Sequence, residues 1–364
     1  MTRIDPTLPG ALSRRRFLQQ SFAWSAFAAL PALPARAFPA APNALAAHAL
    51  IVGDWGWAAE ESPDAAIRAG GGYAAQSQVA RGMRRFVQQH SLRPDALWML
   101  GDSWYGDLEG GDASPRWLSQ FEQMYPADAF PGPAYSMLGN HDYQRLPSTV
   151  NKVEAELAYA RTGRGADGKP TRWTLPARWY TFDFPAHNPL IHCIVLDSNM
   201  PRPDGSWDHG ANFTLKPEEQ AEQLRWLEEQ LRKPRTTPYL AVLAHHPVYS
   251  NGPHGDHPVL VREWDPLFRK YKVDLYMAGH DHDLQHLEFE GNPTTHFLSG
   301  AGGADLYVLK VDGLERGPYA QEVHGFSHLA VTARSLELRH LDADGRFLYG
   351  VSRTPAGKVS ALSS

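Results

Sequence analysis

Five short polar motifs each follow an apolar run and carry side chains that bind metal ions. They are Gly53–Gly56 (GDWG), Gly101–Tyr105 (GDSWY), Gly139–Asp142 (GNHD), Ala244–Pro247 (AHHP) and Gly279–His282 (GHDH). Carboxylate oxygens and imidazole nitrogens are common ligands of metal cations in proteins. Ligands that converge from five turns can hold two cations about 3.5–4 Å apart, an arrangement that supports hydrolysis of phosphate esters. We therefore predict a dinuclear metal site.

The candidate ligands are two carboxylates, one amide oxygen and three imidazoles: Asp54, Asp102, Asn140, His245, His280 and His282. A carboxylate shared between the two cations would fix their separation. His280 and His282 are two residues apart, so on a strand both imidazoles would point the same way. In a turn, each imidazole could instead reach a different metal.

Tyr105 follows Asp102 by three residues and limits the choice of metal. A phenol keeps its proton up to a pKa of about 10, so it is a poor ligand for Zn²⁺ or Mg²⁺ at neutral pH. A strongly Lewis-acidic trivalent cation can displace that proton. If Tyr105 is a ligand, it indicates Fe(III) at one position and a divalent ion at the other. By itself, a tyrosine here is also compatible with an aromatic residue of the core or of the pocket rim.

Alternating strand and helix patterns surround these motifs. Apolar runs rich in β-formers predict strands at 49–52, 96–100, 134–138, 191–196, 239–243, 273–278 and 296–298, and helical periodicity predicts helices at 74–90, 217–231 and 261–271. Such alternation favours an α/β layered fold, in which ligand-binding residues gather at the carboxyl ends of the strands. The segments 327–331, 335–341 and 347–351 predict antiparallel strands, and residues 161–172 predict a long exposed loop.

Composition narrows the range of functions. The chain has 364 residues, of which 43% are hydrophobic, enough for a sizeable core. Its formal net charge is −5, and removal of residues 1–37, with five arginines and one aspartate, would change it to −9. A net acidic chain argues against broad binding of nucleic acid. The single cysteine, Cys193, lies in an apolar run and is interpreted as a core residue.

Residues 1–37 have the features of an export signal. Ser13–Gln19 reads SRRRFLQ and resembles a twin-arginine motif, S-R-R-x-F-L-K, in all but the last position. The apolar stretch after it is too short to span a bilayer and contains Pro31 and Pro34. Ala35–Ala37 offers a cleavage site, so the mature chain would begin at Phe38. The pattern predicts recognition by the twin-arginine export machinery, a periplasmic or secreted location in a bacterium, and no stable membrane span in the mature form.

The motifs resemble those of the purple acid phosphatases, a group of metallophosphoesterases, and most closely the small tartrate-resistant type. The first motif has Asp-Trp-Gly, as in the purple group, where other metallophosphoesterases have Asp-x-His. The family motif GDNFY is similar to Gly101–Tyr105, GNHDY is intact at Gly139–Tyr143, and GHDHNLQ is similar to Gly279–Gln285. GHYPVWS is similar to Ala244–Ser250, with His245 at the ligand position. The likeness extends from about Leu50 to the C-terminus.

The resemblance implies a fold and a ligand set. The fold would be a single α/β catalytic domain over residues 38–364, with four layers (α/β/β/α) in which two mixed β-sheets form a sandwich flanked by helices. Asp54, Tyr105 and His282 would bind Fe(III). Asn140, His245 and His280 would bind the divalent ion, which is Fe, Zn or Mn, and Asp102 would bridge the two.

The resemblance also implies roles for three further histidines. His141 and His254 would face the substrate, stabilising phosphoryl oxygens or protonating the leaving group. A plainer role for His141 is to orient Asn140 or a carboxylate. His246 takes the place of a family tyrosine and would either contact substrate or cap the turn, the second being favoured.

The implied activity is that of an exported acid phosphatase, which hydrolyses small-molecule phosphomonoesters by attack of a metal-bound hydroxide on phosphorus. One alternative is a phosphodiesterase of the same fold that uses Mn or Zn and leaves Tyr105 without a metal. Another is a non-catalytic binding protein that keeps the fold. Visible absorbance from a tyrosinate–Fe(III) pair separates the first alternative from the main hypothesis, and turnover of an aryl phosphate separates the second.

Overall fold

The computed structural model describes residues 42–57, 72–144, 150–200, 214–310 and 316–362. The predicted export signal at 1–37 lies outside these ranges. The described residues belong to one compact unit, Ala41–Leu362. Among the helices in these ranges, none is both long enough and apolar enough to cross a membrane.

Strands and helices alternate through the first two thirds of the chain, and strands follow one another in the last third. In chain order, the strands are β1 (Ala47–Val52), β2 (Ala96–Met99), β3 (Ala134–Ser136), β4 (Trp173–Thr174), β5 (Tyr180–Phe184), β6 (Ile191–Val195), β7 (Tyr239–Leu243), β8 (Leu275–Ala278), β9 (Leu284–Leu287), β10 (Thr295–Ser299), β11 (Tyr319–Gln321), β12 (Gly325–Val331), β13 (Leu336–Asp342), β14 (Phe347–Arg353) and β15 (Val359–Ala361). The α-helices are α1 (Gly72–Gln89), α2 (Asn140–Tyr143), α3 (Lys152–Thr162), α4 (Pro217–Arg232), α5 (Pro258–Glu263) and α6 (Asp265–Tyr271).

Most predicted elements lie where the sequence patterns placed them, and one helix differs. The pattern at 261–271 predicted a single helix, whereas the chain forms α5 and α6 with a break at Trp264. Pro266 explains the break, because proline has no backbone N–H and its ring clashes with the carbonyl four residues earlier in a helix. Proline is tolerated in a first turn, which is where Pro266 lies in α6.

Within the described residues, the strands form two mixed sheets. The first has eight strands in the order β15-β14-β13-β12-β1-β2-β3-β4, with β1 to β4 parallel and the remaining pairs antiparallel. The second has seven strands in the order β11-β9-β10-β8-β7-β6-β5, and β6, β7, β8 and β10 are parallel. In both sheets the parallel strands direct their carboxyl ends to one edge, which is where binding residues gather in α/β folds.

The two sheets pack face to face. On β12, Phe326 and His328 contact Phe86 of α1, while Ser327 between them bonds to Ser299 Oγ of β10 in the other sheet at 2.8 Å. Successive strand residues point to opposite faces, so β12 separates the α1 layer from the second sheet. The sandwich interior is largely apolar, and Cys193 is buried in it as predicted.

Helices cover the outer face of the second sheet. Alternate residues of its strands, among them Ile194, Val242 and Tyr276, belong to a separate apolar cluster with Leu227 of α4 and Phe268 of α6. The order of layers is therefore helix, sheet, sheet, helix. The α/β/β/α architecture of two mixed sheets flanked by helices is confirmed, and it positions the loops that carry the polar motifs.

Candidate metal centre

The polar motifs lie in the loops that follow β1, β2, β3, β7 and β8, at one edge of the sandwich. Asp54, Asp102 and His280 adopt left-handed backbone conformations, with φ of 57°, 48° and 70°. Such conformations cost an L-residue roughly 1–2 kcal/mol, and strain of this kind concentrates at functional sites. Here the sharp turn after each strand brings a polar side chain back over the sheet edge.

Among the described residues, two groups of three buried side chains each bring ligand atoms within 4.8 Å of one another. The first ligand set is Asp54, Asp102 and His282, and the second is Asp102, His245 and His280. Asp102 belongs to both sets, as a bridging carboxylate would. His280 and His282 fall in different sets, as expected if the turn between them directs each imidazole to a different metal.

Tyr105 lies in the middle of the first ligand set. Its phenolic oxygen is 3.2 Å from Asp54 Oδ1, 3.2 Å from Asp102 Oδ2 and 3.0 Å from His282 Nε2. Its side chain is buried, and burial beside the two carboxylates raises the pKa of the phenol well above 10. A cation bound by this set must therefore displace a firmly held proton before it gains the phenolate as a ligand.

Asn140 lies among the residues of the second ligand set, as Tyr105 does in the first. Its Oδ1 atom is 3.0 Å from His245 Nε2 and 2.9 Å from His280 Nδ1. His245 Nε2 is also 3.3 Å from Asp102 Oδ2, the same oxygen that contacts Tyr105. The seven predicted ligand residues therefore come together as two groups that share one carboxylate oxygen.

Backbone groups hold the rings and carboxylates in these orientations. His245 Nδ1 donates to the carbonyl of Leu100 at 2.8 Å, and His282 Nδ1 donates to the carbonyl of Asp305 at 2.5 Å. Each bond fixes the tautomer that leaves Nε2 as the coordinating nitrogen, as is usual for metal-binding histidines. The amide of His280 donates to Asp54 Oδ2 at 2.9 Å, so Oδ1 of that carboxylate is directed into the site.

Two glycines make room for the carboxylates. A Cβ atom on Gly139 would lie 2.1 Å from Asp102 Oδ1, and a Cβ atom on Gly279 would lie 2.5 Å from Asp54 Oδ2. No side chain fits at these distances. The glycines that begin the GNHD and GHDH motifs thus have a direct steric role in the site.

The charges of the buried groups favour cation binding. Burial raises the pKa of Asp54. Burial also acts to raise the pKa of Asp102, but the nearby His245 and His141 more than offset this and lower it. Burial lowers the pKa of His245, whereas Asp102 and Asp54 raise it more strongly, to about 10. The carboxylates therefore draw positive charge into the site, and metal ions would replace the proton on His245.

His141 and His254 lie beside the ligand sets, one on each side. The His141 amide donates to Asp102 Oδ1 at 2.7 Å, and its ring lies 4.2 Å from the Tyr105 ring, with Nδ1 3.1 Å from Gln144 Oε1. The His254 ring lies 4.2 Å from the His280 ring, and its side chain is 17% exposed. Both histidines are therefore close enough to the ligands to contact a bound phosphate ester.

His246 is buried and 3% exposed. Its Nδ1 atom is 2.8 Å from Ser198 Oγ, which also accepts a bond from the His246 amide at 2.9 Å. The carbonyl of His246 accepts a bond from Tyr276 at 2.6 Å. These contacts favour the turn-stabilising interpretation of His246 over contact with substrate.

Several supporting residues had no clear signal in the sequence. Asp281 lies between two ligand histidines and contacts His254 Nδ1 at 2.6 Å. Asp142 accepts bonds from the amides of Ser103, Trp104 and Gly139 at 2.8–3.0 Å, and so joins the Asp102 and Asn140 loops. Both aspartates stand inside motifs that were singled out, but their neighbours were the evident ligands. Only their contacts in the folded structure show that they support the site.

Comparison with known proteins agrees with this geometry. The calcineurin-like phosphoesterase family matches residues 47–284. Human tartrate-resistant acid phosphatase type 5 is 29% identical, over 90% of this chain and 96% of the human protein. Purple acid phosphatase 7 of Arabidopsis thaliana is 30% identical, over 86% of each chain.

Solved structures share the fold at lower identity. A purple acid phosphatase from yellow lupin, Lupinus luteus, superposes with a TM-score of 0.59 at 19% identity, over 87% of this chain and 55% of the lupin chain. GAP50, the anchor in the inner membrane complex of Plasmodium, gives a TM-score of 0.63 at 19% identity, over 87% and 88% of the two chains. The sequence match covers well over half of the chain, which therefore belongs to the calcineurin-like phosphoesterase family and has purple acid phosphatases among its relatives.

Proposed function

We propose that this protein is an acid phosphatase that hydrolyses phosphomonoesters at an Fe(III)–M(II) centre, in which M is Fe, Zn or Mn. The observation that carries the proposal is the position of the Tyr105 phenol, within 3.2 Å of Asp54, Asp102 and His282. A phenol placed among buried carboxylates and an imidazole is suited to a trivalent cation. The acid phosphatases among the relatives support the same activity.

Each ligand set has the donors that its proposed metal prefers. Asp54, Tyr105 and His282 would hold Fe(III), Asn140, His245 and His280 would hold the divalent ion, and Asp102 would bridge them. When bound, the two cations supply an activated water and the positive charge that phosphoester hydrolysis requires. The residues fit this role because Asp102 Oδ2 lies near both Tyr105 and His245, at 3.2 and 3.3 Å.

The chain's own histidines would act on the substrate. His254 and His141 are placed to donate hydrogen bonds to phosphoryl oxygens or a proton to the leaving group. Asp281 holds the His254 ring through Nδ1 and so fixes its orientation, as a carboxylate does for a catalytic imidazole. We therefore assign proton donation to His254. The backbone amide of His141 donates to Asp102, and any residue at this position could make that contact, so a positioning role for the His141 ring stays a prediction.

Two other functions are compatible with the same fold, and the experiment described below separates them from the proposed one. A phosphodiesterase with Mn or Zn would use the same ligands without a metal on Tyr105. A non-catalytic protein is the other, since the fold is also that of GAP50, an anchor protein. The full complement of ligands together with His141 and His254 favours an enzyme.

The first experiment is a visible spectrum and an iron assay of the purified mature protein, together with turnover of nitrophenyl phosphate. We expect a broad tyrosinate-to-iron band that disappears in Tyr105→Phe. A colourless, active protein with Zn or Mn would contradict the ferric assignment and direct attention to diesters. A metal-loaded protein that turns over neither monoesters nor diesters would favour the binding protein.

We also propose export by the twin-arginine route, which carries folded proteins and would let the metals bind before export. The support is the SRRRFLQ motif and the small residues at 35–37. Substitution of Arg14 and Arg15 by Lys should retain the phosphatase in the cytoplasm of an expressing bacterium. Unchanged periplasmic activity of that variant would refute the proposed route.

A further inference from the structure

Residues 305–310, which we call the rim loop, bring the side chain of Tyr307 to the edge of the metal centre and carry three further apolar residues. The sequence is Asp-Leu-Tyr-Val-Leu-Lys. Val308 is 74% exposed, which makes it one of two large hydrophobic residues that stand out as exposed in the described ranges, and Leu306, Tyr307 and Leu309 are half-buried. Exposed apolar side chains next to a polar site are typical of surfaces that bind the non-reacting part of a ligand.

The rim loop is attached directly to the metal-binding residues. The Asp305 carbonyl accepts the bond from His282 Nδ1 at 2.5 Å, and the Tyr307 amide donates to the His282 carbonyl at 3.3 Å. Just before the loop, the Ala304 amide donates to the Asp54 carbonyl at 2.9 Å. The position of Tyr307 is therefore set by the same residues that form the first ligand set.

The far end of the rim loop is anchored as well. The Leu309 amide donates to Glu322 at 2.7 Å, and the Lys310 amide donates to the Asn251 carbonyl at 2.9 Å. The backbone of the loop thus has partners on both sides of Val308. The apolar side chains are held in place and need not be ordered when a ligand binds, which limits the entropic cost of contact.

The Tyr307 ring lies between the ligands and His254. It stacks on His282 with centroids 4.0 Å apart and planes 12° from parallel, and it meets the His254 ring edge to face at 5.4 Å. A leaving group that takes a proton from His254 would therefore lie close to Tyr307. The Tyr307 hydroxyl has no hydrogen-bond partner among the described residues, so the ring is positioned by packing.

We propose that the rim loop, through Tyr307 and Val308, is the specificity determinant that selects phosphomonoesters with aromatic leaving groups. This rests on the proposed phosphatase function and adds a substrate class to it. The ligand sets and His141 would bind the phosphoryl group, which all such substrates share. Aromatic rings favour edge-to-face or offset contact with other aromatic rings, which Tyr307 can offer to a phenol but not to a small polar alcohol.

The test compares 2-naphthyl phosphate with phenyl phosphate in the metal-loaded enzyme. Both leaving groups are phenols, so the ratio of their kcat/KM values reports mainly on contact with the larger ring. We expect wild type to favour the naphthyl ester about tenfold, in the range that one added apolar group supplies. Tyr307→Ala should abolish the preference and Val308→Ser should reduce it, whereas Tyr307→Phe should retain it. Because both substrates report on the same active molecules, any loss of metal cancels in the ratio.

Leu45 provides the matched control. It is also an exposed hydrophobic residue, 94% exposed, but it precedes β1 at the opposite end from Asp54. Leu45→Ser should leave the ratio unchanged. An unchanged ratio in both Tyr307→Ala and Val308→Ser would overturn the proposal, as would loss of the preference in Tyr307→Phe. Failure of wild type to hydrolyse any of these esters would instead refute the proposed function, so the two failures are distinguishable.

Discussion

His254 Nδ1 lies 2.6 Å from Oδ1 of Asp281, a carboxylate with no exposed surface. Ser250 Oγ donates to the other oxygen of the same carboxylate. Gly252 packs against it so closely that a Cβ atom there would lie 2.4 Å from Asp281 Cγ. Asp281 is thus held from two sides, and it in turn fixes the ring of a histidine at the edge of the metal centre.

Replacement of Asp281 by Asn should impair proton donation by His254. An amide does not fix the orientation and tautomer of the His254 ring as a carboxylate does, so we expect a loss of about 10–100-fold in kcat for an alkyl ester such as glycerol phosphate. Nitrophenyl phosphate, whose leaving group needs little protonation, should lose much less. Steady-state kinetics with both esters measure the difference.

A surface pair serves as the control for Asp281→Asn. His192 Nδ1 lies 2.7 Å from Asp183 Oδ1, and the Asp183 side chain is 49% exposed. Asp183→Asn should leave both activities unchanged. Equal losses for alkyl and aryl esters in Asp281→Asn would count against His254 as the proton donor and favour a structural role for the pair.

Gly139→Ala should disturb the bridging carboxylate. The added Cβ would lie 2.1 Å from Asp102 Oδ1, while the backbone at Gly139 has a φ of −99° that alanine adopts freely. The whole effect should therefore come from displacement of Asp102. We expect metal affinity to fall about 10–100-fold, as when a partner of a ligand is disturbed, with activity following. Metal competition with a chelator provides the measurement.

Gly291→Ala is the comparison for Gly139→Ala. Gly291 has a φ of 73°, and its Cβ would meet nothing within 4 Å. We expect a loss of about 1 kcal/mol in the free energy of unfolding from the left-handed backbone, with normal metal affinity. If Gly139→Ala were to bind metal as tightly as Gly291→Ala, the close approach of Gly139 to Asp102 would not be required for metal binding.

The sequence was sufficient to predict which polar residues converge, because each follows an apolar strand and parallel strands end at one sheet edge. It could not predict the partners that are brought together by packing. Asp281 and His254 are 27 residues apart, and nothing in their spacing marks them as a pair. The carbonyl of Asp305, which orients His282, is a backbone group and leaves no mark in the residue pattern.

The fold was predictable in part for similar reasons. Alternation of strands and helices indicated a layered α/β fold. The prediction that two sheets pack against each other came from the family resemblance. Helix α3 had no clear periodic signal, because Lys152 and Glu156 are buried in it beside apolar residues. A charged residue on a buried helix face is explained only by its tertiary partners, which the pattern of the helix itself does not contain.

Lys152 is one such residue, and its removal should loosen the Tyr105 loop. Its Nζ atom donates to the carbonyls of Trp104 and Gly106, at 2.7 and 2.9 Å, on either side of Tyr105. Lys152→Met would leave both carbonyls without this donor. We expect a loss of about 3 kcal/mol in unfolding free energy and a weaker or shifted tyrosinate band. Urea unfolding and the visible spectrum give the two readings.

Lys169→Met is the control, because its side chain is 77% exposed and lies in the segment after α3. That variant should match wild type in stability and in spectrum. If Lys152→Met were less stable but had an unaltered spectrum and iron content, Lys152 would support the fold without holding Tyr105.

His340 makes the stability of the sandwich depend on pH. Its ring is buried against Phe297, Nε2 donates to the Gln285 carbonyl at 3.1 Å, and Nδ1 lies 2.9 Å from Ser327 Oγ. Burial disfavours the charged form of the ring and lowers the pKa of His340 to about 3. The unfolded chain takes up a proton near pH 6.5, whereas the folded chain does so only near pH 3. The contribution of His340 to stability is thus complete above pH 6.5 and is lost as the pH falls toward 3.

His340→Asn should make the protein less sensitive to acid. The variant will be less stable at pH 7, because a smaller side chain replaces the ring that packs on Phe297. Between pH 6 and pH 4, however, each unit of pH decrease should lower the unfolding free energy of the variant by about 1.4 kcal/mol less than that of wild type. Urea unfolding at pH 8, 7, 6, 5 and 4 measures both slopes. The stability difference between the two proteins should be constant above pH 7, where neither state binds the proton, and parallel slopes below pH 6 would show that His340 does not titrate on unfolding.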